Sequence, residues 1–206
     1  MHDKVEAMKK LRAALIERRV DDDIVDLLLL INSIKGVHTT SSCSGRIGIM
    51  ETPEIGAKPK ARWLLKEHRT ITYEEVLESL KNVREGLILF KVQSPIFHVV
   101  CENLKIARRV HYYGMESGFK YTNYRALSDS GRILVEINGT ENISVPLGID
   151  GKLLVDEKYI RFLVDVGNQV LMRGKRKLER LRESFKRLKS ELGDDPNFSR
   201  YDLKSY

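Results

Sequence analysis

The sequence has few of the residues that build disulfide-rich or membrane-embedded proteins. Two cysteines, Cys43 and Cys101, are too few for a disulfide framework, so we expect reduced thiols and a cytoplasmic location. The dense apolar stretch at residues 24–34 includes Asp26 and Asn32 and is too short to cross a bilayer. The first ten residues have no contiguous apolar run, so no secretory signal is expected and no membrane partner is predicted.

Several ligand-binding motifs are also missing. No Gly-x-Gly-x-x-Gly follows a predicted strand and no phosphate-binding loop motif occurs, which argues against a standard dinucleotide site and against an NTPase. Five histidines and two cysteines are scattered without ligand-like spacing, so no metal site is predicted. Gln occurs only twice while 32% of the residues are charged, a balance that favours a thermophilic source.

Positive charge is in excess, with a formal net charge of +7. Residues 173–191 hold nine Lys or Arg against three Glu, and a second basic group contains Lys58, Lys60, Arg62 and Lys66. A basic protein attracts polyanions, and nucleic acid is the commonest such partner. Charge alone supports a solvated basic surface equally well, so both interpretations stay open at this point.

Helix signals occur along the whole chain. Helical spacing of apolar residues is seen near the N-terminus, and Asp21 to Asp23 are placed to cap the helix that follows. Thr72 with Glu75 forms a capping-box pattern, and Asn103 and Gly118 mark the two ends of another helix. From residue 156 to residue 193 the pattern predicts one long or twice-broken basic helix.

Strand signals lie between these helices. The segments that predict strands are VHTTSS, GRIGIM, ARWLLKEHR, GLILFKV, IFHVVCE, KYTNYRAL, RILVEING and ISVPLG. We expect GLILFKV and IFHVVCE to form a hairpin around residues 93–95. Because no regular strand–helix–strand rhythm appears, the class is α+β. We predict a single domain over residues 1–192, with one mixed, mostly antiparallel sheet flanked by helices, followed by a polar tail at 193–206.

A row of apolar side chains runs along the C-terminal helix at alternating spacings of three and four. Such a seam packs on the body of the protein or on a second subunit, and we favour the body. Whether the protein is a monomer or a dimer stays open. The members of the seam are Leu171, Leu178, Leu181, Phe185, Leu188 and Leu192.

Small polar side chains are concentrated in TTSSCSGRI, residues 39–47. Backbone N–H groups, serine hydroxyls and the guanidinium of Arg46 are the donors of an anion site. An ordinary tight turn, whose serines bond their own backbone, explains the pattern slightly better. No base can be placed beside Cys43, so an inert thiol is favoured over a nucleophile.

Two isolated residues, Trp63 and His98, have structural as well as functional interpretations. Trp63 is the single tryptophan and sits among basic residues, which suits either base stacking or a half-buried strand position. His98 lies between apolar residues, where a satisfied core histidine is the usual case.

Five blocks of sequence, taken in order, carry a family resemblance. They are TTSSCSGRI, KARWLLKEH, VREGLILFKVQSPIFHVVC, ESGFKYTN and NISVPLGIDGKLLVDEKYIRFLVDVGNQ. Together they resemble the motifs of the tRNA wybutosine-synthesizing protein 3 family over residues 4–180. The resemblance implies an S-adenosylmethionine-dependent tRNA N-methyltransferase. It would methylate the N4 nitrogen of the tricyclic wyosine-type guanine (7-aminocarboxypropyl-demethylwyosine) 3′ to the anticodon of phenylalanine tRNA, within archaeal wybutosine biosynthesis.

The same resemblance suggests site residues. The expected cofactor-binding residues are Ser41, Ser42, Ser44 and Arg46, although the turn would equally hold a tRNA phosphate. The expected catalytic residues are Ser44, Arg46 and His98. The expected substrate-binding residues are Lys60, Trp63, His68 and Tyr121, with Tyr124 as an alternative stacking residue. A non-catalytic tRNA-binding module or a scaffold for another enzyme of the pathway is the alternative function.

Overall fold

The computed structural model describes residues 2–54, 60–127, 131–201 and 203. Its helices, in chain order, are α1 (His2–Ile16), α2 (Val25–Asn32), α3 (Tyr73–Leu80), α4 (Leu104–Glu116) and α5 (Glu157–Leu192). Its strands are β1 (Val37–Cys43), β2 (Arg46–Thr52), β3 (Arg62–Glu67), β4 (Leu87–Gln93), β5 (Ile96–Cys101), β6 (Asn123–Ala126), β7 (Ile133–Asn138), β8 (Ile143–Ile149) and β9 (Lys152–Leu153). Within the described chain, no helix is both long enough and apolar enough to span a membrane.

The chain divides into two compact units, each with its own sheet. The first unit takes residues 1–44, 95–140 and 176–206, and its four-stranded sheet has the order β1-β5-β7-β6. The second unit takes residues 45–94 and 141–175, and its five-stranded sheet has the order β3-β2-β4-β8-β9. The observed strand pairs are antiparallel, which confirms the α+β class. The strands form two sheets where one was predicted.

The hairpin predicted around residues 93–95 is wrong, although both of its strands are present. β4 pairs with β2 and β8, whereas β5 pairs with β1 and β7. An apolar alternation specifies that a segment is a strand and which face is buried, but it does not name the partner strand. Pro95, which has no N–H for a ladder, lies at the point where the chain leaves one sheet for the other.

Local signals at the helix ends are confirmed with one exception. The Thr72 hydroxyl accepts from the backbone N–H of Glu75, whose carboxylate accepts in return from the Thr72 N–H. Asn103 caps α4 through the N–H of Ile106 at 3.0 Å, and Gly118 adopts φ +95° just past its end. Asp21 stands at the start of a short 3-10 helix but makes no side-chain cap there.

The first unit packs its sheet against helices. Its core joins α2, β1, β5, β7 and α4 with the C-terminal half of α5. Of the seam residues of that half, Leu178, Leu181, Phe185 and Leu188 are buried, the last three with 0% exposure, and Leu192 is partly buried. Full burial of each such side chain contributes about 1.5–3 kcal/mol, so the seam is a structural part of its own chain, as favoured above. The helix is continuous, which confirms the first of the two predicted alternatives, one long helix.

The second unit has a separate core. Ile47, Ile49, Phe90 and Val92 from β2 and β4 pack with the N-terminal half of α5, including Leu171. Gly167 is the point of closest approach between helix and sheet, because a Cβ there would lie 2.6 Å from Phe90 Cζ. This close packing fixes β2, the strand that begins with Arg46.

Many of the basic side chains of α5 are already paired. Arg187 contacts Glu116 at 2.7 Å, Lys186 contacts Glu183 at 2.7 Å, and Lys189 contacts Asp194 at 2.7 Å. Part of the excess positive charge of α5 therefore forms ion pairs within the chain and does not contribute to an open surface for a polyanion.

Candidate functional site

The serine-rich segment spans the end of β1 and the start of β2. Its first part pairs with β5, and a β-bulge between Thr39 and Ser41 sets Ser41 opposite His98. Bulges of this kind re-aim side chains and are common near active sites. Ser44 is 0% exposed, and its backbone N–H donates to Asp21 Oδ2 at 2.7 Å. The carboxylate predicted to cap a helix therefore holds the serine turn in place.

Two of the predicted anion donors are buried without a hydrogen-bond partner in the described chain: Ser42 Oγ and Arg46 Nε. Buried donors in folded proteins are almost always satisfied, and leaving one unpaired costs about 1–3 kcal/mol. The ordinary-turn interpretation, in which the serines bond their own backbone, does not hold for the Ser42 hydroxyl. The Ser42 hydroxyl in the first unit and, separately, the Arg46 guanidinium in the second unit thus each keep a donor that could bind an anion.

Arg46, Trp63 and His68 lie together in the second unit. The Arg46 guanidinium carbon is 5.5 Å from the centroid of the Trp63 ring, a cation–π contact. His68 Nδ1 lies 2.7 Å from the carbonyl oxygen of Gly45, the residue before Arg46. A neutral His68 that donates from Nδ1 to this carbonyl has Nε2 as its acceptor nitrogen. Trp63 is half-buried on β3, as its strand interpretation predicted.

The basic group near β3 has mixed roles. Lys60 is exposed, while Arg62 forms a salt bridge with the buried carboxylate of Glu51 at 2.6 Å. That carboxylate also accepts from the backbone N–H groups of Arg84 and Glu85. Burial of Glu51 raises the pKa of its carboxyl group, but the hydrogen bonds it accepts have the larger combined effect. The pKa of Glu51 is therefore lowered. Arg62 is thus structural, and Lys58, named with it in the sequence, lies outside the described residues.

His98 belongs to a polar row across the sheet of the first unit. Its Nε2 lies 3.2 Å from Glu136 Oε2, and Arg125 Nη1 lies 3.8 Å from the same oxygen. The His98 side chain keeps 30% exposure, so it is not the enclosed core histidine that its neighbours suggested. Donation from Nε2–H to the carboxylate leaves Nδ1 as an acceptor.

The two candidate tyrosines of the first unit differ in their surroundings. Tyr121 is 61% exposed in the loop before β6. Tyr124, on β6, makes an edge-to-face contact with His111 at 5.4 Å between ring centroids. Tyr121 is therefore the more accessible stacking surface of the two.

A cleft of about 660 Å³ opens in the first unit beside the serine strand. The residues that line it come from α1, from the segment after it, from α2, and from β1, β5 and β7 with the residue after β6. They are Glu6, Ala7, Lys10, Leu11, Ala14, Arg19, Val20, Leu28, His38, Thr39, Thr40, Ser41, Ser42, Val100, Leu127 and Leu134. Its volume falls within the usual range of small-molecule sites, roughly 300–1,000 Å³.

The two cysteines have different environments. Cys101 is fully buried on β5, and burial raises the pKa of its thiol to about 12, so it is no nucleophile at neutral pH. Cys43 is half-buried at the end of β1.

Sequence reasoning missed three residues around the site: Asp21, His38 and Glu136. Each acts through a partner or a cleft distant in the chain, such as Asp21 with Ser44 and Glu136 with His98. The only sequence signal was indirect. The unusual density of small polar residues in the serine segment indicated that these residues need a partner, but it did not identify the acidic residue that is the partner.

The chain is similar to several proteins of known family. It is 59% identical over 199 residues to the Pyrococcus furiosus tRNA(Phe) 7-((3-amino-3-carboxypropyl)-4-demethylwyosine(37)-N(4))-methyltransferase 2, with 97% of this chain and 96% of the relative covered. It is 57% identical to the protein of the same name from Thermococcus kodakarensis, with 96% of this chain and 92% of the relative covered. Methyltransferase 1 of that organism is 45% identical, with 91% and 94% covered.

Solved structures resemble the fold as well. The PH1069 protein from Pyrococcus horikoshii matches with a TM-score of 0.84 and 42% identity, over 89% of this chain and 94% of that chain. A protein from Aeropyrum pernix matches with a TM-score of 0.72 and 26% identity, over 82% and 98%. The family model described as methyltransferase TYW3 matches residues 2–187. The chain belongs to the TYW3 methyltransferase family.

Proposed function

We propose that this protein transfers a methyl group from S-adenosylmethionine to N4 of 7-(3-amino-3-carboxypropyl)-4-demethylwyosine at position 37 of phenylalanine tRNA. Relatives that carry this activity in their names are 54–59% identical over nearly the whole chain. The structural observation that supports the proposal is a buried donor without a partner in each unit, Ser42 Oγ in the first and Arg46 Nε in the second, within the described residues.

The residues present fit such a cofactor. Its methionyl carboxylate is an anion, and Arg46 with the hydroxyls of Ser41, Ser42 and Ser44 supplies charge-assisted and neutral donors for one. When bound, S-adenosylmethionine supplies an activated methyl group on a sulfonium sulfur. The protein's own contribution is to bind and orient both reactants and to exclude water, which accounts for much of the acceleration in a reaction of this kind.

Arg46 has the most constrained place among these groups. Its guanidinium lies against Trp63, which restricts its rotamers without consuming its hydrogen bonds. His68 holds the carbonyl of Gly45 and so supports the turn that carries Arg46. A guanidinium fixed in this way loses little entropy when it binds a carboxylate or a phosphate.

His98 is the residue that we propose to accept the proton lost from the methylated nitrogen. Its bond to Glu136 leaves Nδ1 as the acceptor and stabilises the imidazolium that forms after proton transfer. Ser41, in register with His98 on the neighbouring strand, would orient the same region. We assign Ser44 the role of shaping the turn, because its N–H is engaged by Asp21.

Substrate contacts are proposed for Lys60, Trp63, His68 and Tyr121. Lys60 and Tyr121 are exposed and suited to phosphate contact and base stacking, worth about 1–3 kcal/mol per stacked base. The half-buried Trp63 offers less ring surface and has Arg46 5.5 Å from its ring centroid, so we propose that Trp63 lies beside the base. We place this tRNA-modifying activity in the cytoplasm, and we place all of these residues within a single domain over residues 1–192.

The test is direct methyl transfer. Purified protein is mixed with S-adenosylmethionine and phenylalanine tRNA that carries the unmethylated nucleoside, and the digested nucleosides are weighed by mass spectrometry. The proposal predicts a gain of one methyl group on the tricyclic base, and none on tRNA with plain guanosine at that position. Binding of tRNA without any methyl transfer would instead favour a non-catalytic binding module.

A further inference from the structure

The cleft of the first unit has an apolar interior and a charged rim. Leu11, Val20, Leu28, Val100 and Leu134 contribute aliphatic surface, with Ala7 and Ala14 leaving space on the facing helix α1. An aliphatic cleft of this size accepts a flat ring, and the few polar groups within it then fix the orientation of that ring.

His38 is the most unusual of those polar groups. It lines the cleft and is only 7% exposed, so a ligand in the cleft would meet a largely enclosed imidazole. Burial, together with the positive charge of Lys4, lowers the pKa of His38 to about 4, so the ring is neutral near pH 7. A neutral imidazole has one donor and one acceptor nitrogen, and it suits an uncharged heterocycle edge better than an anion.

The rim carries both signs of charge on exposed side chains. Glu6 and Lys10 stand one helical turn apart on α1, and Arg19 follows the helix. Arg19 forms an ion pair with Glu17 that is exposed and therefore weak. The guanidinium of Arg19 can still bind a ligand. An ammonium and a carboxylate on one carbon, as in an α-amino acid, would find both partners here.

We infer that this cleft binds a heteroaromatic ring that bears an α-amino acid group, with His38 contacting the ring edge and the rim of Glu6, Lys10 and Arg19 contacting the amino acid. The inference rests on the proposed function, which supplies two molecules of this chemistry. One is the cofactor, in which adenosine is joined to methionine. The other is the target base, in which a tricyclic ring carries a 3-amino-3-carboxypropyl group.

The experiment measures binding, not turnover, by isothermal titration calorimetry. The two probes are S-adenosylhomocysteine and a synthetic anticodon stem-loop that carries the aminocarboxypropyl base. His38→Leu removes the hydrogen bonds while retaining an apolar side chain, and His38→Asn restores a neutral donor and acceptor. Lys10→Ala tests the rim, and Lys9→Ala is its matched control, because Lys9 is exposed on the same helix but does not line the cleft.

We expect His38→Leu to lower the affinity for one probe at least tenfold and His38→Asn to recover part of that loss. Lys10→Ala should lower the affinity for the same probe at least threefold. Loss of affinity for S-adenosylhomocysteine assigns the cleft to the cofactor and leaves the serine segment to a tRNA phosphate, and loss of affinity for the stem-loop assigns the cleft to the base. If the wild-type protein binds both probes, and His38→Leu and Lys10→Ala bind them with unchanged affinity, the inference is overturned. If His38→Leu does not fold, the Lys10 and Lys9 pair decides. A wild-type protein that binds neither probe would overturn the proposed function and the inference with it.

Discussion

The buried histidine of the cleft predicts how the stability of the protein depends on pH. The pKa of His38 is about 4 in the folded protein, against about 6.5 for an ordinary histidine. Its folded pKa is depressed, so the unfolded chain binds the proton more tightly, and stability is lost as pH falls from 6.5 towards 4. With these values, the loss between pH 7 and pH 5 is about 2 kcal/mol, since each pKa difference of one corresponds to about 1.4 kcal/mol.

The assay is guanidinium unfolding at several pH values between 4.5 and 7.5, followed by circular dichroism. His38→Leu removes the titrating group, so the difference between the two proteins isolates its contribution from the other histidines. We expect the free energy of unfolding of the wild-type protein to fall about 2 kcal/mol further than that of the variant between pH 7 and pH 5. Parallel pH profiles for the two proteins would show that the pKa of His38 is the same in the folded and the unfolded chain. That result would refute the reasoning.

Further predictions concern the second unit. Arg46→Ala should lower methyl transfer at least tenfold with little change in melting temperature, because its Nε is unpartnered, and Arg46→Lys should recover only part of the rate; early unfolding would make Arg46 structural. Trp63→Ala should reduce tRNA methylation more than Trp63→Phe does, with tryptophan fluorescence of the wild type reporting binding of the substrate. Gly167→Ala should destabilise by about 1–3 kcal/mol, measured by thermal unfolding, because the added Cβ meets Phe90 at 2.6 Å. Lys60→Ala should reduce the salt slope of tRNA binding by about 0.7–0.9, and an unchanged slope would remove it from the phosphate contacts.

Local chemistry explains why much of the secondary structure could be predicted. The Thr72 and Glu75 capping box and the Asn103 cap involve residues three positions apart, so their geometry follows from the sequence alone. The apolar seam of α5 is equally readable, because its period requires one buried stripe along the helix.

The pairing of the strands could not be predicted in the same way. β4 and β5 are adjacent in the chain and both apolar, yet they enter different sheets. Nothing in the alternation of either strand distinguishes a hairpin from this arrangement, since the choice depends on long-range packing that only the complete fold defines.

The anion site stays a prediction, and the contacts that support its residues could not be predicted from the sequence. The density of serines and the presence of Arg46 indicated an anion site, and the unpaired donors of Ser42 and Arg46 agree with that hypothesis. The contact of Asp21 with Ser44 joins positions 23 residues apart, and that of His98 with Glu136 joins positions 38 apart. Such contacts arise from tertiary structure, so a single sequence carries no periodic or spacing signal for them.

The central claim is methyl transfer to one nitrogen of one modified base, and the most direct measurement is the mass of that nucleoside. Phenylalanine tRNA bearing 7-(3-amino-3-carboxypropyl)-4-demethylwyosine is incubated with the protein and with S-adenosylmethionine labelled in its methyl group. We expect a mass increase of one labelled methyl group, located on the tricyclic ring by fragmentation and reduced at least tenfold in Arg46→Ala. Label on another nucleoside, or on none while the tRNA remains bound, would contradict it.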